Sequence, residues 1–144
     1  MYAQTKEVYK LAHSKFSADN IIVYGRSLGC GLASYIAANQ HSQRLILETP
    51  FRSIPDLISH YAPIYPTDRM SRFKFPVEEY LKEVKVPVTI FRGTADNIIA
   101  YSSAEKLKKH LKAGYEFITI ENGGHNNLNN FPLYHSKLDA LLNL

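Results

Sequence analysis

The chain has 144 residues, of which 45% are hydrophobic and 21% are charged, so it has the length of one domain and a composition that excludes collagen-like and largely disordered proteins. Its net charge of +4 comes from 17 Lys and Arg against 13 Asp and Glu, and no basic stripe with stacking aromatic residues indicates a nucleic-acid partner. The single cysteine, Cys30, excludes an internal disulfide bond and a Cys-rich zinc module.

Short β-branched or aromatic runs alternate with helical stretches along the sequence. Strands are predicted over residues 20–24, 44–47, 86–92 and 116–121. Helices are predicted over residues 2–16, 28–39, 102–113 and 131–142. The first helix places Val8, Leu11, Ala12 and Phe16 on its expected inner face. The alternation indicates βαβ crossovers and therefore a three-layer α/β fold, with a mainly parallel sheet of about four strands and helices on both faces.

The segment 49–85 interrupts this alternation. It contains five of the seven prolines and many aromatic residues, with Tyr61, Tyr65 and Phe73 among them. We expect an irregular, lid-like excursion with short helices around 54–61 and 77–82, because long inserts of this kind are often lids or pocket walls.

The clearest motif is Gly25-Arg26-Ser27-Leu28-Gly29, which directly follows a predicted buried strand and directly precedes an apolar helix. This is the context of a G-x-S-x-G nucleophile elbow. The serine would occupy a tight turn whose torsions crowd a Cβ two positions to either side, so Gly25 and Gly29 are expected to relieve that crowding. Ser27 is the predicted nucleophile, and the backbone N–H of Leu28 is the predicted oxyanion donor.

A serine needs a base and a group that orients the base. His125 follows a predicted strand in a Gly-rich loop, and loops at the carboxyl ends of parallel strands carry the sites of such sheets. Asp96 follows the third predicted strand, where Gly93 permits a tight turn, and it is the predicted acid. Glu48, at the end of the second predicted strand, is the alternative acid.

The stretches GRSLG, LILETPF, VPVTIFRGTADNII and GGHNNL resemble the α/β-hydrolase superfamily, most closely its small serine esterases and peptidases of the prolyl-oligopeptidase-like branch. The resemblance covers essentially all 144 residues, as a single partial domain over 1–144. In that family the nucleophile strand is the fifth of about eight, whereas here it is the first strand. The resemblance therefore implies an N-terminally truncated domain that lacks the loop with the second oxyanion N–H.

The resemblance implies hydrolysis of carboxylic esters, thioesters or amides through an acyl-enzyme, with a small-molecule or peptide acyl substrate and no cofactor or metal. The alternative is a catalytically impaired fragment that acts as an interaction module or needs a missing N-terminal segment, because loss of one oxyanion donor costs about 10²–10³ in kcat. The strand 20–24 would have an unpaired edge, which we expect to bind a second copy or a partner chain.

The N-terminal sequence has no apolar core of the kind found in signal peptides. No apolar run is long enough for a transmembrane segment. Together with the single cysteine, these features predict a cytoplasmic location.

Overall fold

A parallel sheet forms the centre of the fold. The computed structural model of the protein describes residues 1–66, 73–110 and 112–143. Within these ranges the strands are β1 (Ile22–Arg26), β2 (Arg44–Glu48), β3 (Val88–Gly93) and β4 (Glu116–Ile120). They lie side by side in chain order, and each strand is parallel to the next. The prediction of a mainly parallel sheet of about four strands is confirmed.

Helices connect the strands. The α-helices of the described ranges are α1 (Tyr2–His13), α2 (Gly29–Asn39), α3 (Ile54–Tyr61), α4 (Val77–Glu83), α5 (Tyr101–Glu105) and α6 (Pro132–Leu142). Short 3-10 helices lie at Ala18–Asn20, Lys106–His110 and Leu128–Asn130. Over the part of the chain that the structure describes, no helix has both the length and the apolar character needed to cross a bilayer.

Some predicted boundaries are shifted by local chemistry. β1 begins two residues later than predicted because Ala18–Asn20 forms a 3-10 turn. β3 begins only after Pro87, which has no N–H to donate to a neighbouring strand. The predicted helix 102–113 is α-helical only over α5 and then continues as the 3-10 helix Lys106–His110. The prediction of a single regular helix is therefore wrong for this segment.

The hydrophobic core lies on both faces of the sheet. α2 and α4 cover one face, where the small residues Cys30, Ala33 and Ala37 let α2 lie close to the strands. α6 covers the opposite face, where Tyr134 packs against Phe91 with their ring centroids 5.0 Å apart. These two helical layers around one sheet confirm the predicted three-layer α/β fold.

α1 packs through a different face from the predicted one. Val8, Leu11 and Phe16 are 69%, 63% and 59% exposed. The buried residue of the helix is Tyr9, whose hydroxyl donates to the His41 carbonyl. The predicted inner face is wrong because a tyrosine ring, with an apolar body and a polar tip, makes the inward contact, and aliphatic periodicity does not identify such a residue.

The segment 49–85 contains both predicted helices, α3 and α4. The Ser53 hydroxyl accepts a hydrogen bond from the Asp56 N–H at 3.2 Å and caps the start of α3. Val77 and Leu81 of α4 are fully buried, so this part of the segment belongs to the core. Residues 67–72 of the predicted excursion lie outside the described residues, and a lid function stays a prediction.

β1 forms one edge of the sheet. Among the described strands it pairs only with β2. The Ser27 N–H, at the end of β1, donates to the Glu48 carbonyl of β2 at 2.9 Å. Since alternate residues of a parallel strand direct their backbone groups to opposite sides, the N–H and C=O groups of Ile22 and Tyr24 face away from β2. This edge is therefore unpaired among the described strands.

Candidate active site

Ser27 lies at the sharp turn between β1 and α2. Its φ of 49° is in the left-handed region, which residues with a Cβ seldom occupy. The Ser27 N–H donates to the Glu48 carbonyl, and the Ser27 carbonyl accepts from the Cys30 N–H, each at 2.9 Å. A strained residue held in this way between a buried strand and a helix has the geometry of a nucleophile elbow.

The two glycines of the motif differ in what they permit. A Cβ on Gly25 would lie 2.6 Å from the Ala33 Cβ and 2.7 Å from the Gly29 carbonyl oxygen, closer than packed atoms come. Gly25 therefore allows α2 to cross β1 at short range. A Cβ on Gly29 would meet no described atom within 4 Å. The prediction that Gly29 relieves crowding is wrong, because its missing side chain would point into open space.

Ser27, His125 and Asp96 form a continuous hydrogen-bonded chain. The distance from Ser27 Oγ to His125 Nε2 is 2.9 Å, and the distance from His125 Nδ1 to Asp96 Oδ2 is 2.8 Å. Because an ionised carboxylate only accepts, the proton lies on Nδ1, and Nε2 accepts from the Ser27 hydroxyl. His125 and Asp96 are buried and Ser27 is half-buried. Of these three side chains, the Ser27 hydroxyl is therefore the most open to a substrate.

Close contact between two loops brings the acid to the imidazole. A Cβ on Gly93 would lie 2.0 Å from the Gly123 carbonyl oxygen. The same carbonyl accepts the Ala95 N–H at 2.9 Å, and the Thr94 N–H donates to the Ile120 carbonyl at 3.1 Å. Gly93 is thus needed for a close backbone approach between the loops after β3 and β4, rather than for the tight turn that the sequence suggests.

The Asp96 carboxylate accepts from four donors. Its Oδ1 accepts the backbone N–H groups of Ile98 and Ile99, each at 2.9 Å. Its Oδ2 accepts from His125 Nδ1 and from the Arg92 guanidinium. Burial by itself raises the pKa of Asp96, but the hydrogen bonds from Ile99 and His125 and the charge of Arg92 together bring that pKa below its ordinary value. The carboxyl is therefore ionised at neutral pH.

Arg92 is a residue of this site that the sequence analysis does not identify. Its side chain is fully buried at the end of β3 and forms an ion pair with Asp96. The available signal is a charged residue in an otherwise apolar predicted strand, four positions before the predicted acid. Fully buried arginines are rare unless they are paired, so this pattern could have indicated a contact with the acid.

Glu48, the alternative acid, has other partners. It is 4% exposed and accepts from the hydroxyl groups of Tyr24 and Tyr134, the second at 2.9 Å. Its Oε1 lies 3.2 Å from Arg26 Nε. Burial and the hydrogen bond to Glu48 raise the pKa of Tyr24, which keeps this hydroxyl protonated at neutral pH. Within the described residues Glu48 makes no hydrogen bond to His125, and the structure brings only the other candidate acid to the imidazole.

The backbone N–H of Leu28, the predicted oxyanion donor, lies between the serine and α2. It has no hydrogen-bond partner in the part of the chain that the structure describes. It also stands at the N-terminal end of α2, where the helix dipole is positive. This N–H is therefore available to a negative charge that develops beside Ser27.

The described residues contain no group of His, Cys, Asp and Glu arranged to hold a metal ion. Both ring nitrogens of His125 already have partners, Ser27 at Nε2 and Asp96 at Nδ1. The arrangement is suited to moving a proton between the hydroxyl and the imidazole.

The chain is similar to proteins named as α/β hydrolases. It is 32% identical over 111 residues to one from Acanthamoeba polyphaga mimivirus, a match that covers 76% of the chain and 40% of the relative. It is 24% identical over 146 residues to alpha/beta hydrolase domain-containing protein 17C of Homo sapiens, which covers 99% of the chain and 43% of the relative. The chain thus spans less than half the length of these relatives. No protein-family model matches it.

Solved structures of esterases share the fold. An acetyl xylan esterase from Paenibacillus superposes with a TM-score of 0.78 at 16% identity, covering 99% of this chain and 51% of that one. The esterase domain of a Rhodothermus marinus protein superposes with a TM-score of 0.74 at 12% identity, covering 97% of this chain and 67% of that one. At these identities the likeness concerns the fold alone.

Proposed function

We propose that this chain, which belongs to the α/β-hydrolase superfamily, is a serine hydrolase of carboxylic esters, thioesters or amides. The observation that supports the proposal is the chain of hydrogen bonds from Ser27 through His125 to Asp96, with distances of 2.9 Å and 2.8 Å. The serine stands on a strained turn at the end of a strand, next to the Leu28 N–H, which has no hydrogen-bond partner among the described residues. This combination favours nucleophilic attack on an acyl group.

The first half of the reaction forms an acyl-enzyme. Ser27 Oγ attacks the acyl carbon while its proton passes to His125 Nε2. The carbonyl oxygen becomes an oxyanion, to which the Leu28 N–H donates. Asp96 stabilises the imidazolium and keeps the ring in the tautomer with Nδ1 protonated. The tetrahedral intermediate then breaks its bond to the leaving group, which takes the proton from Nε2.

The second half releases the acyl group. Water enters the site, His125 Nε2 accepts one of its protons, and the hydroxide oxygen bonds to the acyl carbon. When the ester bond to Ser27 breaks, the serine oxygen takes the proton back from Nε2. The products are a carboxylic acid and the regenerated site, and the sequence of steps uses no group beyond the chain and water.

Covalent labelling with a fluorophosphonate tests this proposal without knowledge of the substrate. The phosphorus is attacked by an activated serine and loses fluoride, so one stable adduct on the peptide that contains Ser27 is the expected result in mass spectrometry. Heat-denatured protein and the Ser27→Ala variant should give no adduct, because each lacks a serine paired with the imidazole.

A matched control comes from Ser103, a buried serine whose hydroxyl donates to Asp56 Oδ2 at 2.6 Å. This serine has a carboxylate partner but no imidazole, so Ser103→Ala should keep the labelling of the wild type. A folded wild-type protein that acquires no adduct, or an adduct that lies on a serine other than Ser27, would contradict the proposed function.

The open edge of β1 favours a second role. The backbone groups of Ile22 and Tyr24 face away from β2, and Val8 and Leu11 are exposed on α1. We propose that this edge pairs with a β-strand from the length that the relatives have beyond these 144 residues. In that case the chain acts as one part of a larger hydrolase domain.

Hydrogen exchange at the Tyr24 amide tests this second role. In the purified chain we expect rapid exchange at this N–H, since no described strand accepts from it. Co-expression with the remaining part of the mimivirus relative should yield a complex in which the Tyr24 amide is protected. Slow exchange in a purified particle of twice 16.4 kDa would identify a second copy as the occupant instead. Failure to form any complex would overturn the role.

A further inference from the structure

Arg92 carries a buried charge that the reaction scheme does not use. Its side chain is fully buried, and it lies at the end of β3, directly before the loop that contains Asp96. The guanidinium donates to Asp96 Oδ2 and to the Ile99 carbonyl. Among the described residues its Nε has no partner. A guanidinium with one unmet donor is costly to bury, so a gain in stability is a weak reason for its presence.

The contacts of Arg92 reach two points of the loop that presents the acid. One donor reaches the Asp96 carboxylate and the other reaches the Ile99 carbonyl, three residues further on. Within the same loop, the Ile98 and Ile99 N–H groups hold Oδ1 of Asp96. Oδ2 therefore lies between two donors, Arg92 on the core side and His125 on the side of the active site. Rotation of the carboxylate away from the imidazole would break the contact with the guanidinium.

We propose that Arg92 is a positioning residue, which holds the Asp96 carboxylate turned toward His125 Nδ1. Its effect on rate rests on the proposed function, whereas its effect on the His125–Asp96 hydrogen bond does not. Arginine suits this role because its planar guanidinium can donate to a carboxylate and a carbonyl at once, which the point charge of lysine does not do in a fixed geometry.

The proton on His125 Nδ1 gives a readout that requires no activity. In the wild type, a hydrogen bond to a buried carboxylate should give this N–H a far-downfield proton resonance. We expect Arg92→Met to weaken or abolish the resonance and Arg92→Lys to shift it while retaining it. The matched control is Arg52→Met, since Arg52 also pairs with an aspartate four residues later, Asp56, but outside this site. An unchanged resonance in a folded Arg92→Met protein would overturn the proposal.

A double-mutant cycle tests the catalytic consequence. Displacing a catalytic group by about 1 Å can cost ~10²-fold in rate, so we expect Arg92→Met to lower kcat for a p-nitrophenyl ester by about 10²-fold with little change in KM. In the Asp96→Asn background the same substitution should have no further effect, because its target is already lost. An equal loss in both backgrounds would contradict an action through Asp96.

Two further outcomes distinguish a failure of the proposal for Arg92 from a failure of the proposed function. If Arg92→Met does not fold, Arg92→Lys takes its place, and a resonance and kcat identical to those of the wild type would then overturn the proposal. If the wild type neither hydrolyses esters nor acquires an adduct at Ser27, the proposed function fails, and the resonance alone decides whether Arg92 positions Asp96.

Discussion

Replacement of Asp96 by Asn is expected to lower kcat by about 10⁴-fold while the protein stays folded. The Ile98 and Ile99 N–H groups would hold the Asn oxygen at the Oδ1 position, so the amide N–H would replace Oδ2 and face His125. His125 would then turn to the tautomer with the proton on Nε2. That nitrogen could then no longer accept the proton of Ser27. A loss of about four orders of magnitude follows from this change in tautomer in other triads. Steady-state hydrolysis of a p-nitrophenyl ester measures it.

The matched variant is Glu48→Gln, which changes the other candidate acid. Its Oε2 accepts from two tyrosine hydroxyls and its Oε1 faces Arg26, so a glutamine with its oxygen at the Oε2 position keeps both hydroxyl contacts and loses only the pairing with the exposed Arg26. We expect kcat to remain within about tenfold of the wild type, a difference of ~1.4 kcal/mol in the activation free energy. A large loss in Glu48→Gln with a small loss in Asp96→Asn would assign the acid to Glu48.

Replacement of Gly25 by Ala is expected to destabilise the protein by about 3 kcal/mol, since overpacking costs ~1–3 kcal/mol and more where backbone must move. The added Cβ would lie 2.7 Å from the Gly29 carbonyl oxygen and 2.9 Å from the Cys30 Cα. Both are backbone atoms, so relief requires a displacement of α2 from β1. Urea unfolding followed by circular dichroism measures the free energy of unfolding.

The control for this effect lies in the same motif. Gly29→Ala adds an equal Cβ where no described atom lies within 4 Å, and alanine favours a helix over glycine by roughly 0.5–1 kcal/mol. We expect the free energy of unfolding of this variant to stay within about 1 kcal/mol of the wild type. Equal destabilisation by the two substitutions would show that the turn, and not the crossing of α2 over β1, is the crowded place.

The sequence could predict the fold and the candidate residues because each rests on a local pattern. Ser27, Asp96 and His125 each follow a short apolar run, and the carboxyl ends of parallel strands lie at the same edge of a sheet. A one-dimensional pattern therefore carried enough information to place three distant residues at one edge, although their roles in catalysis stay predictions.

What the sequence could not predict depends on contacts between distant segments. The close contact of Gly25 with Ala33 and the open space at Gly29 depend on the path of α2. The partner of Arg92 depends on how the following loop folds back. The inner face of α1 is chosen by the hydrogen bond from Tyr9 to a carbonyl 32 residues away in the chain, and no helical period encodes that choice.

The order of the strands limits how far the base must extend. Ser27 follows β1 and His125 follows β4, which are separated by two intervening strands. With strands ~4.8 Å apart, the two strand ends are about 14 Å from each other. The loop after β4 therefore returns across the top of β3 and β2 before the imidazole meets the hydroxyl. One additional strand between β1 and β4 would increase the distance between their ends by about 5 Å. This increase is longer than a hydrogen bond. The length of the loop after β4 therefore limits how many strands can lie between the nucleophile and the base.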